Sequence, residues 1–404
     1  MSSSLISMAT PVVDKLALSI MTGSFIYSVG LGCFRHSVSE DKGLIDSIKD
    51  TLQYAALFQI LLKLDGIFNN TTNIVFKTIV SIVSLILTRT TFRKYVSGKC
   101  YNKDIKCTGK VYIITGCNTG IGYETAKAIV SMGGIVIMAC RSLDKAQEAK
   151  NKIIKTTKCN PNYLPILQLD LCDFNSVRKF VNDFNKLNMP LHCLINNAGV
   201  MMEKRCETKS GLEMVMTANH FSHYLLTNLL LPYLNETNGR IVILTSSLHQ
   251  TASSFNFEDI MSKKDYSLFK TYSQAKLANV MFMVELVRRL KLSKSKITCN
   301  AVHPGCVRTE VTRNMNAFMQ IGNALAAPIM WTLQKTPEQG AYCSIYAATS
   351  PELVNNSGLY LFHCEAMKMN KAALDVQDND LLWKVSQEVT LSNKEVIVED
   401  KKIK

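Results

Sequence analysis

Six short apolar runs rich in β-branched residues alternate with longer stretches of helical spacing from residue 111 onward. Runs of this kind are typical of strands that are buried on both faces, and each intervening stretch is long enough to form a helix. Strands joined by such crossovers form right-handed βαβ units. The sequence therefore predicts an α/β fold, a doubly wound parallel sheet with helices on both faces. The six predicted strands are 111–115, 135–139, 166–169, 193–195, 241–245 and 297–302.

Three segments of different character follow one another along the 404 residues. We expect residues 1–104 to form a helical, membrane-associated extension, residues 105–391 to form the α/β domain, and residues 392–404 to be a charged tail. An apolar fraction of 47% is sufficient for one large buried core.

Two apolar stretches in the extension are candidate membrane-spanning segments. Residues 16–34 contain no charged residue, and Arg35 ends the run. A helix needs about 20 apolar residues to cross the hydrocarbon core of a bilayer. Residues 74–88 form a shorter stretch, in which Lys77 can extend toward the interface. A buried or interfacial helix is the alternative for the first stretch, so the sequence leaves one or two crossings open.

The net charge of +14 has two interpretations. Nucleic acid is disfavoured because the basic residues are dispersed along the chain. Their densest group follows the second apolar stretch directly, which favours anionic lipid headgroups, with a solvated linker as the alternative. This group comprises Arg89, Arg93, Lys94, Lys99, Lys103, Lys106 and Lys110.

Thirteen cysteines are scattered along the chain without a C-x-x-C pair. Several of them, including Cys140 and Cys193, lie in apolar runs, which is typical of buried thiols in a reducing compartment. We therefore expect neither disulfide bonds nor a zinc site.

Three glycines, Gly116, Gly120 and Gly122, lie between the first predicted strand and a helix predicted to begin near Tyr123. Glycine lets the backbone turn sharply and brings its N–H groups close to a phosphate at the helix N-terminus. The segment 115–122 is therefore predicted to hold the phosphates of a dinucleotide, with an ordinary tight turn as the alternative.

The end of the second predicted strand is where such a fold distinguishes NAD from NADP. A carboxylate there accepts hydrogen bonds from the ribose 2′-hydroxyl of NAD and repels a 2′-phosphate. Cys140 and Arg141 occupy this place instead, and a guanidinium pairs well with a phosphate. NADP(H) is therefore expected rather than NAD(H), unless Arg141 is an ordinary surface residue. Asp170, after the third strand, either accepts a hydrogen bond from adenine or caps the next helix.

Tyr272 and Lys276 are four residues apart at the start of a long helical pattern, so their side chains share one helix face. A free tyrosine has a pKa of about 10, and a neighbouring ammonium is expected to lower that pKa enough for acid–base work near neutrality. Tyr266 and Lys270 have the same spacing, but they follow a charged stretch that is predicted to be a loop. Tyr272 is therefore the predicted general acid and base.

Two further polar residues complete the predicted proton-transfer set. Ser247 follows the fifth strand at the carboxyl edge of the sheet, where its hydroxyl can polarise a substrate oxygen. Ser246 beside it is predicted to point elsewhere, and helix capping is the alternative for either serine. Asn219 lies inside a helical run over residues 211–231, where its amide can hold a water that connects Lys276 to solvent. The alternative for Asn219 is no special role.

Six motifs occur together and in order along the chain. They are Thr-Gly-Cys-Asn-Thr-Gly-Ile-Gly at 115–122, Ala-Cys-Arg at 139–141, Leu-Ile-Asn-Asn-Ala-Gly-Val-Met-Met at 194–202, Asn-His at 219–220, Tyr-Ser-Gln-Ala-Lys-Leu-Ala-Asn at 272–279 and His-Pro-Gly-Cys-Val-Arg-Thr-Glu at 303–310. With them, the chain from Lys106 to Leu391 resembles the short-chain dehydrogenase/reductase superfamily, and within it the membrane-associated retinol dehydrogenases of the 11 to 14 type. The long N-terminal extension is less similar, because relatives usually carry one short anchor.

This resemblance implies a Rossmann-like fold and a catalytic tetrad of Asn219, Ser247, Tyr272 and Lys276. It also implies that Lys276 holds the nicotinamide ribose and that the segment after the sixth strand meets the nicotinamide carboxamide. The cofactor-binding residues that it implies are Gly116, Asn118, Thr119, Gly120, Ile121, Gly122, Arg141, Asp170, Leu171, Asn197, Ala198, Gly199, Tyr272, Lys276, Pro304, Gly305 and Thr309.

The function implied is that of an NADP(H)-dependent oxidoreductase that interconverts a lipophilic alcohol and its aldehyde or ketone, of retinoid, steroid or lipid type. A catalytically silent cofactor-binding or membrane-tethering protein of the same fold is the alternative. We expect an apolar substrate pocket lined by Met201, Met202 and residues 255–269 and 311–331, and a homodimer is one option for assembly. The expected location is the endoplasmic reticulum membrane with the catalytic domain facing the cytosol, or else a mitochondrial membrane.

Overall fold

The computed structural model describes residues 93–308 and 334–392, together with a few residues on either side. The additional residues are 79, 82, 83, 86, 87, 89–91, 398, 399, 402 and 403. Three sequence predictions therefore lie outside the described residues: the apolar segment 16–34, the cofactor contact of Thr309 and the pocket segment 311–331.

The chain divides into two compact units. One comprises Met1–Gly98 with Pro328–Leu333, and the other comprises Lys99–Ala327 with Gln334–Lys404. In the first unit, the described residues between 79 and 97 are helical. The second unit contains the α/β fold.

The second predicted membrane segment, 74–88, is described at five positions, all of them helical. These are Ile79, Ile82, Val83, Ile86 and Leu87, whose exposed fractions lie between 38% and 55%. Their spacing places them along one side of a helix. Across the described part of the chain, no helix combines the length and the apolar character needed to cross a bilayer.

Strands and helices alternate through the second unit. The strands are β1 (Val111–Thr115), β2 (Ile135–Cys140), β3 (Ile166–Gln168), β4 (Cys193–Asn196), β5 (Arg240–Leu244), β6 (Thr298–His303), β7 (Tyr360–Phe362), β8 (Glu365–Met367), β9 (Val398–Glu399) and β10 (Lys402–Ile403). The principal helices are α1 (Gly120–Ser131), α2 (Leu143–Thr157), α3 (Phe174–Asn185), α4 (Ser222–Thr237), α5 (Leu268–Leu292), α6 (Pro337–Thr349) and α7 (Val376–Ser392). Short 3-10 turns lie at Pro161–Tyr163, Ser247–Thr251, Phe257–Asp259, Pro351–Leu353 and Lys371–Leu374.

Eight strands form one sheet in the order β3-β2-β1-β4-β5-β6-β7-β8. All neighbours are parallel except β7 and β8, which pair antiparallel. The six predicted strands are present, and their ends differ from the prediction by at most one residue. The prediction of a Rossmann-like, doubly wound parallel sheet is therefore confirmed. The antiparallel edge formed by β7 and β8 was not predicted from the sequence.

The strands are buried on both faces, which explains their continuous apolar character. In β1, Val111 and Ile113 pack into one core with α3, α4, α5 and α7. Tyr112 and Ile114, which point the opposite way, pack into a second core with α1, α2 and α6. The alternation of side chains along a strand thus divides one apolar run between two helical layers.

The strand order reverses direction between β1 and β4, and this is the switch point of the sheet. Connections from β1 lead toward β3 on one side, and connections from β4 lead toward β8 on the other. The loops that follow β1 and β4 therefore separate and leave a crevice at the carboxyl ends of the strands, where open α/β sheets bind ligands.

Helix α1 begins at Gly120, three residues before the predicted start. Thr119 precedes it in an extended conformation, and its side chain makes no capping hydrogen bond. Gly116 and Gly120 have positive φ angles of 66° and 60°. Glycine adopts this conformation without strain, so the chain reverses direction within a few residues and the helix starts close to the end of β1.

A π-helical turn, Thr217–Phe221, precedes α4 and contains Asn219. The N–H of Ser222 donates to the carbonyl of Thr217, five residues back. The wider turn changes the direction in which backbone carbonyls point at this place, and π turns of this kind are frequent at functional sites.

Candidate active site

A cavity of about 460 Å³ opens at the switch point of the sheet. Most of the residues predicted to bind a cofactor line it. They are Gly116, Asn118, Thr119, Gly120, Ile121, Gly122, Arg141, Asp170, Leu171, Asn197, Ala198, Gly199, Tyr272, Lys276, Pro304 and Gly305. Segments that are far apart in sequence thus meet around one volume of the size that small-molecule sites occupy.

The N-terminus of α1 faces this cavity through Thr119, Gly120 and Ile121. The first turn contains no acidic residue, and no side chain caps it. The backbone N–H groups of a helix start are donors without an intrahelical partner, and the helix dipole adds a partial positive charge. This end of the cavity is therefore suited to an anionic group such as a phosphate.

Asn197 holds the glycine turn against the end of β4. Its side-chain Nδ2 donates to the carbonyl oxygens of Thr115 at 2.7 Å and of Gly116 at 3.3 Å. A Cβ atom added at Gly122 would contact the same Asn197 amide and lie 2.7 Å from the carbonyl oxygen of Gly116. Gly122 is therefore required for the close approach of helix, turn and strand.

Arg141 and Lys145 place two positive charges at the end of β2, where both line the cavity. Lys145 lies in the first turn of α2, and its N–H donates to the side chain of the N-cap residue Ser142. Lys145 was not predicted from the sequence. The sequence did contain a signal for Lys145: it follows Arg141 by four residues, and a helix starts between the two.

Asp170 lines the cavity, and its local hydrogen bonds are defined. Its Oδ1 accepts from the N–H of Cys172 at 2.9 Å, and its own N–H donates to Ser176 Oγ at 2.9 Å. The N-cap of α3 is Asp173, whose carboxylate accepts from the N–H of Asn175. The alternative that Asp170 caps this helix is therefore wrong, and a contact with adenine stays a prediction.

Tyr272 and Lys276 lie in the first part of α5 and line the cavity together. The Lys276 Nζ is 5.4 Å from the centre of the Tyr272 ring and donates to the carbonyl oxygen of Leu244 at 3.1 Å. The lysine carbonyl accepts from the Thr245 hydroxyl at 2.9 Å, which joins this turn of α5 to the end of β5. The pair is therefore held at the carboxyl edge of the sheet.

Burial controls the acid–base properties of both groups. It lowers the pKa of Lys276 to about 8 and raises the pKa of the Tyr272 phenol above its usual value, because each charged form loses hydration. The sequence expectation that the ammonium lowers the tyrosine pKa is not met, because the effect of burial on the phenol dominates. The phenol is thus a protonated donor near neutral pH.

The second pair with the same spacing, Tyr266 and Lys270, is engaged elsewhere. The Tyr266 hydroxyl donates to the carbonyl oxygen of Met202 at 2.6 Å, and Lys270 forms an ion pair with Asp265. Neither residue lines the cavity. The structure thus brings only one of the two tyrosines next to the glycine turn.

Asn219 is fully buried and forms two hydrogen bonds with one backbone position. Its Oδ1 accepts from the N–H of Val200 at 2.8 Å, and its Nδ2 donates to the carbonyl of Val200 at 2.9 Å. A Cβ added at Gly199 would lie 3.1 Å from Asn219 Oδ1 and 3.4 Å from Lys276 Nζ. The amide therefore fixes the loop after β4 close to the lysine, while its predicted role in holding a water stays a prediction.

The two serines after β5 differ in position. Ser246 lines the cavity, and its hydroxyl oxygen accepts from the N–H of Leu248 at 3.3 Å. Ser247 is exposed and begins the short 3-10 turn Ser247–Thr251, outside the cavity lining. The expectation that Ser246 points away from the site is therefore wrong for this cavity. The Ser246 hydroxyl caps the short turn, as the alternative for either serine proposed, and the catalytic role predicted for Ser247 stays a prediction.

The predicted apolar pocket is present only in part among the described residues. Met201 lines the cavity together with Val200 and Leu248, whereas Met202, which was also predicted to line it, does not. The segment 255–269 contributes no lining residue, so that prediction is wrong for the cavity described here. Its aromatic residues at 255 and 257 are buried in the core and pack edge to face at 4.8 Å.

Enzymes that hold a dinucleotide at the switch point of such a sheet and place an acid–base pair beside it are nucleotide-dependent oxidoreductases. Across the part of the chain that the structure describes, no cluster of side chains is arranged to hold a metal ion. Residues 110–320 match the family described as short chain dehydrogenase. The chain belongs to this family, whose members are oxidoreductases that use NAD(P)(H).

Comparison with individual proteins shows which members of the family the chain is similar to. It is 36% identical to retinol dehydrogenase 14 of Homo sapiens over 291 residues, which cover 69% of this chain and 85% of the relative. It is 38% identical to polyprenol dehydrogenase of Homo sapiens over 286 residues, which cover 70% and 85%. A solved structure of an uncharacterised protein from Mycobacterium paratuberculosis has a TM-score of 0.58 at 28% identity and covers 74% of this chain and 99% of that chain. The chain is thus an oxidoreductase related to the retinol and polyprenol dehydrogenases.

Proposed function

We propose that the protein is an NADP(H)-dependent oxidoreductase that interconverts a lipophilic alcohol and its aldehyde or ketone, with Tyr272 as general acid and base. The observation that carries this proposal is that Tyr272 and Lys276 line the same cavity as the glycine turn 116–122. A phenol beside a dinucleotide site is positioned to exchange a proton with a substrate oxygen.

The residues of the cavity fit a nicotinamide dinucleotide. The uncapped start of α1 suits the phosphates, and the absence of a Cβ at Gly122 lets this helix start pack against the glycine turn and Asn197. Tyr272, Lys276, Pro304 and Gly305 would lie around the nicotinamide end. When bound there, the cofactor supplies a hydride in the reducing direction and accepts one in the oxidising direction.

Tyr272 transfers the proton, and Lys276 assists this transfer. In the reducing direction the Tyr272 hydroxyl donates its proton to the carbonyl oxygen of the substrate, so that the oxygen becomes an alcohol as its carbon receives the hydride. In the oxidising direction both transfers are reversed. Lys276, with a pKa lowered to about 8, is mainly an ammonium at pH 7, and its charge stabilises the phenolate that donation leaves behind.

The substrate class follows from the apolar side of the cavity and from the relatives. Val200, Met201 and Leu248 are apolar residues that line the same cavity as Tyr272. Methionine adapts its shape to irregular apolar ligands. The relatives are named for retinol and polyprenol, which are both isoprenoid alcohols. These features support a retinoid, steroid or lipid aldehyde as the substrate.

Membrane association is part of the proposal because such substrates dissolve in bilayers. The exposed aliphatic residues Ile79, Ile82, Val83, Ile86 and Leu87 give one helix side an apolar surface, and the basic group that begins at Arg89 follows it. An apolar helix side next to basic residues binds anionic membrane surfaces. We propose the endoplasmic reticulum membrane, with the catalytic domain facing the cytosol, as the location, and a mitochondrial membrane as the alternative.

The function is tested by measuring NADPH oxidation with the full-length protein in detergent or in vesicles. The panel contains retinal, a steroid ketone and medium-chain aldehydes, with a hydrophilic aldehyde as the comparison. We expect turnover with at least one lipophilic carbonyl and little with the hydrophilic one. If NADPH binds but no carbonyl is reduced, the proposal of an enzyme is wrong and a silent cofactor-binding protein is favoured.

The cofactor preference gives a further prediction. Replacing both Arg141 and Lys145 with alanine should lower kcat/KM for NADPH by about 100-fold, since two charged contacts with the 2′-phosphate are removed. The value for NADH should change by less than about threefold, because its ribose carries no phosphate. The control is Lys152→Ala, an exposed lysine of α2 outside the cavity lining. Equal losses with both cofactors would contradict the assignment of these two residues.

A further inference from the structure

His223, in the first turn of α4, connects the end of β1 to the π turn that contains Asn219. It is buried, with 2% of its surface exposed. Its Nε2 lies 3.0 Å from the hydroxyl oxygen of Thr115, and its Nδ1 lies 3.1 Å from the main-chain carbonyl oxygen of Asn219. One imidazole ring thus joins two segments that come together beside the cofactor cavity.

The hydrogen bonds of Thr115 determine which nitrogen carries the proton. The Thr115 hydroxyl oxygen accepts from the N–H of Asn197 at 3.0 Å and from the N–H of Ala198 at 2.9 Å. A hydroxyl has two lone pairs and one proton, so both lone pairs are used and the proton remains for His223. Nε2 must then be an acceptor. Because a neutral imidazole carries its proton on the other nitrogen, Nδ1–H donates to the carbonyl of Asn219.

The surroundings of His223 also favour its neutral form. Burial lowers the pKa of His223 to about 4, and the positive charge of Lys276 acts in the same direction. The hydrogen bond to the Asn219 carbonyl has the opposite and smaller effect. A second proton on Nε2 would face the Thr115 hydroxyl, which has no free lone pair to accept it.

We propose that neutral His223, protonated on Nδ1, is a positioning residue for the oxidoreductase function proposed above. Through the Thr115 hydroxyl it orients the N–H groups of Asn197 and Ala198. These two residues line the cavity proposed to hold the cofactor, and we call them the cofactor wall. Through Nδ1 it fixes the carbonyl of Asn219, whose side chain holds Val200. The ring therefore keeps the cofactor wall and the Asn219 turn in one arrangement, and it acts without touching either cofactor or substrate.

The protonation state is tested on the unmodified full-length protein by ¹⁵N NMR with labelled histidine. The sequence contains seven histidines, and the spectrum of His223→Gln assigns the resonance of His223. We expect a neutral ring at pH 7 with the proton on Nδ1. A ring with the proton on Nε2, or a charged ring, would overturn the proposal. This measurement needs neither turnover nor bound cofactor, so it distinguishes a failure of this inference from a failure of the proposed function.

The positioning role is tested by NADPH affinity in a double-mutant cycle. His223→Leu should raise the Kd of NADPH by about tenfold, because the Thr115 proton loses its acceptor. His223→Gln provides an amide oxygen near the place of Nε2 and should keep the Kd within about threefold of the wild type. In a Thr115→Val background, where the hydroxyl is already absent, His223→Leu should change the Kd by less than about twofold.

The cycle shows whether His223 affects the Kd of NADPH through the Thr115 hydroxyl or whether the two residues affect it independently. If the effects of His223→Leu and Thr115→Val on the Kd multiply, His223 does not act through the hydroxyl and the proposal is wrong. The same conclusion holds if His223→Gln weakens binding as much as His223→Leu. Thermal unfolding of each variant identifies any that fail to fold. In that case the NMR measurement on the wild type tests the proposal, because it reports the protonation state of His223 directly.

Discussion

Replacement of Tyr272 with phenylalanine is expected to lower kcat/KM for carbonyl reduction by about 10²- to 10⁴-fold, the range that a general acid contributes. The ring stays in place beside Lys276, so packing is retained while the proton donor is removed. The Kd of NADPH, measured by fluorescence titration, should change by less than about threefold. A loss of turnover with unchanged cofactor affinity would locate the defect in proton transfer.

The matched control for this variant is Tyr266→Phe. Tyr266 precedes Lys270 by the same four residues, but its hydroxyl donates to Met202 and lies outside the cavity lining. We expect kcat/KM within a few-fold of the wild type for this control. Turnover that survives Tyr272→Phe, or that is lost equally in both variants, would exclude Tyr272 as the acid.

Substitution of Gly122 by alanine is expected to raise the Kd of NADPH by about 100-fold. The added methyl group would force the start of α1 away from the glycine turn and Asn197, which form the end of the cavity proposed to hold the phosphates. The new Cβ would lie 2.7 Å from the carbonyl oxygen of Gly116 and 2.9 Å from Cys117 Cα, in addition to its contact with the Asn197 amide. Overpacking of this kind costs about 1–3 kcal/mol, so the free energy of unfolding should fall by a similar amount. Fluorescence titration and urea unfolding measure the two effects.

Ser131→Ala is the control within the same helix. Ser131 is exposed in the last turn of α1, and its hydroxyl donates to the carbonyl of Lys127. Alanine has a high helix propensity, so this variant should keep both affinity and stability. If Gly122→Ala binds NADPH as tightly as Ser131→Ala does, the glycine turn does not hold the phosphates.

Local sequence patterns were sufficient for the first six strands of the sheet and for most of the residues that gather around the cavity. The strand 111–115 was predicted with its observed ends because a buried parallel strand consists of one apolar run. The glycine turn and the Tyr272–Lys276 pair were identifiable because each is a short spacing within one loop or one helix. Topology then places these segments together, since the carboxyl ends of parallel strands share one edge of the sheet.

Contacts between distant segments were not accessible from the sequence. Nothing near Asn219 indicates that its amide bonds to Val200 or that a π turn surrounds it. The raised pKa of Tyr272 depends on burial by the folded chain, whereas the sequence showed only the neighbouring lysine. Phe255 and Phe257 pack into the core because their rings contact each other there, and an apolar run alone does not distinguish core from pocket.

The strand order has a consequence for how this protein can diversify. The turns after β1, β2 and β4 carry residues that we propose to bind the dinucleotide, whereas Leu248 comes from the loop after β5. Loops tolerate insertion and replacement better than the elements that they connect. A descendant of this chain can therefore acquire a new ligand preference through changes around Leu248, while it inherits the turns that we propose to bind the nucleotide.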